Sequence, residues 1–410
     1  MNRKKKAKMH LAANSFYDDP CLPGAEDPYG TYAAMREKCA IHWCEGPKMW
    51  VILGYAEAAE HMRDSRYSRQ NRLDELIGRF GNKSRIFERQ KLDIPFMDGE
   101  LHRRMRQHVM NAYRGIDLKA LGQFSSDFAA SRLGQVTDGE PFDLVALLAN
   151  SLPLMVVNEL MGVPRSMQSE VADKVESFVR ARGLTQTEDT ASEGEDSLEA
   201  YSNYFLPLIH QRRQEPGEDV LSRLIADPKE GIHLTDEQLL LIISSNFYSA
   251  SVYTLKFLIG TMAWIMAIHP EAYARIRADR SLIPSALEEV LRWDPPAQAL
   301  NASMALEDIV IDGQTVKAGD SVTAFVGAAN RDPKVFDKPD CFLVDRSPNP
   351  HLSFAPGLHQ CLGLHLARME GAGVLGALCD QFETLTWYDS ASKRSIGDRF
   401  RGFDRLILSR

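Results

Sequence analysis

One cysteine in this 410-residue sequence is surrounded by residues that restrict its chemistry. The segment from Phe354 to Gly363 reads Phe-Ala-Pro-Gly-Leu-His-Gln-Cys-Leu-Gly, with Cys361 near its end. Pro356 and Gly357 predict a tight turn, and Gly363 would let a following helix pack closely. The positive end of that helix would favour a thiolate over a thiol. Because a zinc cage needs three or four ligands, a single thiolate in such a turn suits an axial metal ligand better.

This segment resembles the haem-binding loop of cytochrome P450, whose pattern is Phe-x-x-Gly-x-x/His-x-Cys-x-Gly. The positions that match are Phe354, Gly357, His359, Cys361 and Gly363. The resemblance implies that haem b is the cofactor and that Cys361 is the proximal thiolate ligand of its iron. Such a thiolate pushes electron density onto iron and favours O–O cleavage. Phe354, Gly357 and His359 would then belong to the haem site, with His359 as a propionate contact.

Two helical pairs extend the resemblance. Glu289 and Arg292 are three residues apart, so their side chains share a helix face and can form an ion pair. In the family this Glu-x-x-Arg pair is structural and supports the cysteine loop. His102 and Arg106 lie four apart in a segment similar to the family's haem-contacting helix. Their shared face is suited to a haem propionate.

One expected propionate contact is missing from the sequence. Relatives usually carry an arginine shortly after the Glu-x-x-Arg helix, where this chain has Ala302 or Ser303. Lys317 is the only basic residue between Trp293 and Asn330. The contact is therefore absent or supplied from elsewhere in the chain.

A second feature is an apolar helix predicted from the capping box at Thr235 to His269, where Pro270 ends it. At 1.5 Å per residue it would be roughly 45 Å long, enough to suggest a membrane span. Polar residues interrupt it, which favours a buried helix that crosses the protein. They are Ser244, Ser245, Asn246, Ser249, Ser251 and Lys256.

This helix resembles the family's oxygen-activating helix and places the key threonine at Thr254. By the resemblance, Thr254 hydrogen-bonds the oxygen and is a catalytic residue. Relatives usually carry an acid at the position of Tyr253, and this acid and the threonine together relay protons to the oxygen. The Tyr253 hydroxyl, with a pKa near 10, would hold its proton too tightly to replace the acid in that relay. Tyr253 could take an acid–base or radical role, or it could shape the pocket as a bulky plug. Substrate-binding positions carried over from the family are Ala250, Leu300 and Phe403.

The remaining sequence predicts one large, mainly α domain with a small β lobe, over residues 21–410. Residues 1–20 form a basic tail that is expected to be disordered. Strands are predicted at 41–44, 49–53 and within 309–326, and an acidic surface loop at 185–199. A net charge of -8, from 48 basic and 56 acidic residues, argues against a nucleic-acid partner. Six scattered cysteines and the lack of a visible anchor favour a cytoplasmic protein with no membrane partner.

These features predict a monooxygenase that oxidises a small organic molecule, such as a natural-product intermediate. It would use O2 and electrons from a separate ferredoxin and ferredoxin reductase. A basic stripe at Arg103, Arg104, Arg106 and Arg114 could steer the ferredoxin. Whether the substrate arrives free or tethered to a carrier protein stays open. Tyr253 replaces the usual acid, so an alternative is a haem-thiolate enzyme with different chemistry. Such an enzyme would use peroxide, or it would perform oxidative coupling, rearrangement or dehydration. A non-catalytic docking module is a second alternative.

Overall fold

The computed structural model describes residues 27–81, 85–164, 175, 177–179, 181–183, 187–226, 233–396 and 399–410. The tail predicted at 1–20 lies outside these residues. Helices make up most of the described chain, as the sequence predicts, and we number them in chain order. They are α1 (Tyr29–Lys38), α2 (Tyr55–His61), α3 (Arg69–Phe80), α4 (Arg85–Gln90), α5 (Gly99–Tyr113), α6 (Leu118–Leu133), α7 (Leu152–Met161), α8 (Glu188–Gln214), α9 (Val220–Ile225), α10 (Asp236–Ile268), α11 (Pro270–Ala278), α12 (Ile283–Trp293), α13 (Val326–Ala329) and α14 (Leu364–Gln381).

The strands form a smaller β part, also as predicted. A five-stranded sheet has the order β1-β2-β8-β5-β3, a three-stranded sheet the order β4-β12-β9, and β6-β7 and β10-β11 are two-stranded. Strands β1 and β2 are the predicted antiparallel hairpin, and β6, β7 and β8 occupy the segment predicted at 309–326. The bounds are β1 (Ile41–Cys44), β2 (Met49–Ile52), β3 (Tyr67–Ser68), β4 (Phe142–Asp143), β5 (Ser303–Ala305), β6 (Ile309–Ile311), β7 (Gln314–Val316), β8 (Ser321–Ala324), β9 (Thr386–Trp387), β10 (Lys393–Ile396), β11 (Arg401–Arg405) and β12 (Ile407–Ser409).

The long helix α10 forms as the sequence predicts. Thr235 Oγ1 accepts from the Gln238 backbone N–H at 3.2 Å, and Gln238 Oε1 accepts from the Thr235 N–H at 3.0 Å. By length and composition α10 could cross a membrane, but 72% of its most apolar window is buried inside the protein. Its middle, Ile242–Tyr253, is π-helical, a rare geometry that is frequent at functional sites. Helix α10 is therefore a core element, and its central turns have a geometry that is typical of functional sites.

The prediction of an acidic surface loop at 185–199 is wrong, because helix α8 begins at Glu188. Thr187 caps this helix by accepting from the Thr190 backbone N–H at 3.2 Å. Glu188 and Asp189 lie in its first turn, where the helix dipole stabilises acidic side chains. Gly194 faces the core, where an added Cβ would contact Ala181 and Ile86. The acidic and small residues that suggested a loop instead start this helix and allow it to pack closely.

Helix α14, which follows the cysteine loop, contains a buried acid. The Glu370 side chain is 0% exposed, and neither carboxylate oxygen has a hydrogen-bond partner among the residues that the structure describes. Burial raises the pKa of Glu370 well above its ordinary value of 4.5. An acid whose pKa is raised on folding destabilises the native state progressively as the pH rises above that ordinary value.

We therefore expect Glu370→Gln to stabilise the protein at pH 8, because an amide has no proton to lose. The gain should shrink as the pH falls toward 4.5, where the unfolded chain also begins to carry the proton. Urea unfolding at several pH values measures this difference, with the exposed Glu383→Gln as the matched control. A Glu370→Gln protein that is less stable than the parent at pH 8 would contradict the expectation.

Candidate active site

A cavity of about 300 Å³ lies between α10, the cysteine loop and the segment after α12. Cys361 lines one side, and Ala250 and Thr254 from α10 also line it. Leu300 closes part of the wall, held by its backbone N–H, which donates to the Ala324 carbonyl at 3.0 Å. A mostly apolar cavity with a few polar groups is the usual form of a small-molecule site. The fold thus brings together residues that are far apart in the sequence and that the resemblance had grouped.

The cysteine loop is held by its own backbone and by Met62, the residue that follows α2. The Cys361 N–H donates to the Phe354 carbonyl at 2.9 Å, which closes the turn. At Gly357 an added Cβ would collide with the Met62 backbone carbonyl, so only glycine allows the two backbone segments to lie this close together. Gly363 differs from the expectation, because an added Cβ there would meet no protein atom within 4 Å. This glycine lines the cavity and leaves it open, rather than allowing close packing of a helix.

The Cys361 thiol borders the cavity, and its side chain is exposed there. Desolvation raises its pKa, although the Gly363 backbone and the charges of Arg106 and Arg368 act in the opposite direction. The helix end therefore does not by itself produce the thiolate expected from the sequence. A coordinating metal ion deprotonates a thiol outright, so this environment remains compatible with a metal ligand.

Glu289 and Arg292 form the predicted pair at the centre of a buried network. Both side chains are 0% exposed, and Arg292 donates to the two Glu289 oxygens at 2.7 and 2.8 Å. Arg292 also donates to three carbonyls, those of Asn330, Pro339 and Cys341. The Glu289 carboxylate accepts from Arg346, from Asn349 and from the Leu343 backbone.

Asn330 carries this network to the cysteine loop. Its side-chain carbonyl accepts from the Leu352 backbone N–H at 2.7 Å, and its amide donates to Ser353 Oγ at 2.8 Å. Ser353 in turn donates to the Leu291 carbonyl in α12 at 2.6 Å. These bonds connect the Glu-x-x-Arg helix directly to the residues that precede Phe354.

The predicted propionate contacts cluster at one end of the cavity. The rings of His102 and His359 lie with their centroids 4.1 Å apart, and His359 and Arg106 line the cavity. His102 Nε2 is buried and has no hydrogen-bond partner among the described residues. Burial, together with the charges of Arg106 and Arg69, lowers the pKa of His102 to about 4 and lowers that of His359 further. At neutral pH both imidazoles are uncharged.

Thr254 and Tyr253 are placed differently. Thr254 lines the cavity, and its hydroxyl donates to the Ala250 carbonyl at 2.6 Å, which leaves the oxygen lone pairs available. Tyr253 does not line the described cavity wall. Its ring packs against Phe257 and Phe400, with centroids 4.6 and 5.3 Å apart. This position favours packing that shapes the wall over an acid–base or radical role.

The expected substrate contact from β11 is displaced along the chain. Phe403 is 1% exposed, packs against Trp264 and Arg394, and does not line the cavity. Phe400, just before the strand, lines it instead and forms an isolated bridge with Ala297. The phenylalanine in the regular strand faces the core, whereas the one at the turn is free to face the cavity. Sequence spacing gave no signal that would separate the two.

Several lining residues carry no motif in the sequence. Arg182 is paired with Asp93 at 2.7 Å, and the Asn246 amide donates to Asp93 at 2.9 Å. This buried group links α10 to two segments that are distant in sequence, and Arg182 and Asn246 line the cavity. Arg69 and Arg399 also line it. In the sequence neither of these two arginines belongs to a motif that would indicate a site.

The residues around the cavity fit the haem that the resemblance implies. Cys361 offers one sulfur ligand on one side, and leucines such as Leu255 and Leu366 offer apolar surface. Arg106 and the unpartnered His102 Nε2 suit an anionic carboxylate at the other end. In the described part of the wall no aspartate or glutamate opposes such an anion.

Comparison with known proteins agrees with this site. The family model described as cytochrome P450 matches residues 41–397. The chain is 29% identical over 391 residues to a biotin biosynthesis cytochrome P450 of Bacillus subtilis, covering 94% of this chain and 96% of that protein. It is 30% identical over 396 residues to 6-deoxyerythronolide B hydroxylase of Saccharopolyspora erythraea, covering 93% and 95%.

A solved structure is similar over nearly the whole fold. The crystal structure of P450BioI in complex with an acyl carrier protein that carries hexadec-9Z-enoic acid has a TM-score of 0.85 and 28% identity, covering 94% of this chain and 99% of that one. With the family model matched over most of the chain, these findings establish that the protein belongs to the cytochrome P450 family of haem b monooxygenases.

Proposed function

We propose that this cytochrome P450 oxidises a small organic molecule bound between Cys361 and α10. The supporting observation is the cavity that has the Cys361 thiol on one side and Ala250 and Thr254 in its wall. Cys361 ligates the haem iron, and Phe354 and Gly357 maintain the loop. Haem bound there supplies the reduction of O2 with two electrons and the transfer of one oxygen to the substrate.

The remaining residues hold the cofactor and the substrate in place and exclude water from the cavity. The Thr254 hydroxyl offers an oxygen to a hydrogen-bond donor in the cavity, while its own proton is held by the Ala250 carbonyl. Ala250, Leu300 and Phe400 give the substrate an apolar wall that excludes water. His102, Arg106 and His359 bind the haem propionates. The Glu289–Arg292 network holds the cysteine loop in a fixed position against α12.

For the substrate class we propose a mainly apolar acyl chain, either free or tethered to a carrier protein. Apolar lining residues such as Ile94, Val179 and Leu258 suit hydrocarbon, and Ser245, Asn246 and Ser249 provide hydrogen-bonding groups deeper along α10. The solved structure of P450BioI with a loaded acyl carrier protein supports tethering. The free cysteines among the described residues are consistent with a reducing, cytoplasmic setting.

Titration of the ferric holoenzyme distinguishes these substrate forms. We expect a fatty acid or its carrier-protein thioester to displace water from the haem and to shift the haem absorption band toward high spin. Tighter binding of the thioester than of the free acid supports a tethered substrate. If neither acyl form shifts the band but a compact polycyclic ligand does, the acyl proposal is wrong.

Electrons come, in this proposal, from a separate ferredoxin and its reductase. Arg103, Arg104 and Arg114 are exposed along and just after α5. Two exposed leucines, Leu101 at 53% and Leu358 at 54%, lie near them on α5 and in the cysteine loop. A basic surface with apolar residues suits an acidic ferredoxin and speeds its association.

Reversing two of these charges is expected to slow reduction by the ferredoxin. In Arg104→Glu/Arg114→Glu the rate should fall about tenfold or more at low salt, and the salt dependence should weaken. Stopped-flow reduction of the ferric haem measures this rate, and reduction by dithionite, which needs no docking, should be unchanged. Lys393→Glu/Arg405→Glu, in the β10–β11 hairpin, is the matched control. Equal rates for both double variants would contradict docking at α5.

A second candidate function follows from the proton supply. Among the described cavity-lining residues there is no carboxylate, and Tyr253 packs outside the wall. This supports a haem-thiolate enzyme that uses peroxide, or one that couples, rearranges or dehydrates its substrate. Isotopically labelled O2 separates the two functions. Label in the product supports monooxygenation, whereas an unlabelled product or turnover with peroxide alone supports the second candidate.

A further inference from the structure

Positive charge is concentrated in the cavity wall. Four arginines line its described part, and one of them, Arg182, is paired with Asp93 at 2.7 Å. Arg69 and Arg106 line the same cavity as His359. Arg106 was expected there from the sequence, whereas Arg69 was not. Arg69 therefore needs an explanation of its own.

Arg69 is a partly buried cation without an ion-pair partner in the described chain. Its Nη1 donates to the Pro95 carbonyl at 3.1 Å, and its backbone N–H donates to Asp98 Oδ1 at 3.3 Å. Burial lowers the pKa of Arg69 to about 10, the Asp98 carboxylate acts in the opposite direction, and the charge of Arg399 lowers it further. The Arg69 guanidinium forms no direct ion pair with Asp98, so at the border of the cavity it is suited to bind an anion.

The sheet register puts Arg69 next to the position of the missing arginine. Strands β3 and β5 are antiparallel, with Tyr67 opposite Ala305 and Ser68 opposite Met304. Arg69 directly follows Ser68 as the first residue of α3, and Ser303 directly precedes Met304 in β5, so Arg69 lies at the end of β3 that is next to Ser303. A side chain from Arg69 can therefore reach the space that an arginine at 303 would fill.

His61 supports this placement from outside the two strands. Its Nε2 lies 3.4 Å from Ser303 Oγ, and its ring lies 4.4 Å from the Tyr67 ring, centroid to centroid. The Arg69 charge contributes, after burial, to a lowered pKa of His61. Tyr67 and Ser303 thus both contact one imidazole, and the Arg69 charge acts on the same imidazole.

We propose that Arg69 binds a haem propionate in place of the arginine that relatives carry near position 303. The ion pair has moved to the first residue of α3, directly after β3, because this residue lies next to Ser303 and reaches the same space. The ligand chemistry is a carboxylate, which a substrate acid also offers, so the two sources have to be separated. This inference rests on the proposed position of haem beside Cys361. Its test measures haem release and not sulfur ligation, so each can fail without the other.

The experiment compares four holoenzymes: the parent, Arg69→Gln, Ser303→Arg in the Arg69→Gln background, and Arg66→Gln. Arg66 is the matched control because its side chain is exposed and already paired with Asp64 at 2.6 Å. The rate of haem transfer to excess apomyoglobin is the readout. We expect Arg69→Gln to release haem about tenfold faster or more, the usual effect of losing a charge-assisted hydrogen bond. Arg66→Gln should match the parent.

The swapped variant provides the main test. If Arg69 and position 303 serve the same propionate, Ser303→Arg should restore slow release in the Arg69→Gln background, which a general folding defect would not allow. Reconstitution with haem dimethyl ester should abolish the difference between the parent and Arg69→Gln, since the ester has no carboxylate. If Arg69→Gln leaves haem release unchanged and weakens only the binding of carboxylic-acid ligands, the anion is the substrate's and the proposal is overturned. Failure of the swap to slow release also overturns it.

Discussion

Arg292→Ala is expected to cost about 3 kcal/mol of stability and most of the haem content. Removing one partner of a buried ion pair usually costs 3–5 kcal/mol, roughly, since it leaves an uncompensated charge. Here Arg346 still lies 3.0 Å from the Glu289 carboxylate, so the lower end applies. The carbonyls of Asn330, Pro339 and Cys341 lose their donor as well.

Urea unfolding and the ratio of haem to protein after purification measure the two effects. Arg280→Ala is the control, because its pair with Asp380 is at the surface and should be worth about 1 kcal/mol or less. Haem content is the more informative of the two readouts, because Asn330 connects this network to Leu352 and Ser353, which precede the cysteine loop. A variant as stable as Arg280→Ala with full haem content would show that the network does not support the loop.

Thr254→Ala is expected to lower product formation about 100-fold while the protein still binds haem and substrate. Thr254 lines the cavity, and alanine removes both its hydroxyl oxygen and its γ-methyl group, whereas serine removes the methyl group alone. Electrons from the ferredoxin would then be consumed without oxygen insertion, and O2 would be released as hydrogen peroxide. Product formed per O2 consumed is the measurement, after a substrate has been identified by titration.

Thr254→Ser keeps the hydroxyl and serves as the matched variant, because serine can donate to the same Ala250 carbonyl. It should retain most of the coupling. If Thr254→Ala couples as well as the parent, Thr254 is not the catalytic hydroxyl. That outcome would strengthen the second candidate function, in which the usual proton relay is not used.

The parts of the fold that follow from local chemistry were predictable. The Thr235 capping box, the β1–β2 hairpin and the Glu289–Arg292 spacing each describe contacts between residues close in sequence, and the structure contains them. Helix α8 was missed because its acidic first turn and buried Gly194 resemble a loop until the packing partner is known.

Contacts made across the fold were not predictable. Phe400 rather than Phe403 lines the cavity, which depends on where β11 begins and on the bridge to Ala297. Arg69 lines the cavity because β3, which directly precedes it, pairs with β5, more than 230 residues further along the chain. Spacing along the chain carries no information about such cross-strand positions.

Ligation of the haem iron by Cys361 is tested most directly by iron K-edge X-ray absorption of the holoenzyme. The expected spectrum contains one sulfur neighbour in the first coordination shell of the iron. That sulfur should disappear in Cys361→Ser and persist in Cys341→Ser, which removes an exposed cysteine elsewhere. Absence of sulfur in the parent, or sulfur that persists in Cys361→Ser, would contradict the assignment of Cys361 as the ligand.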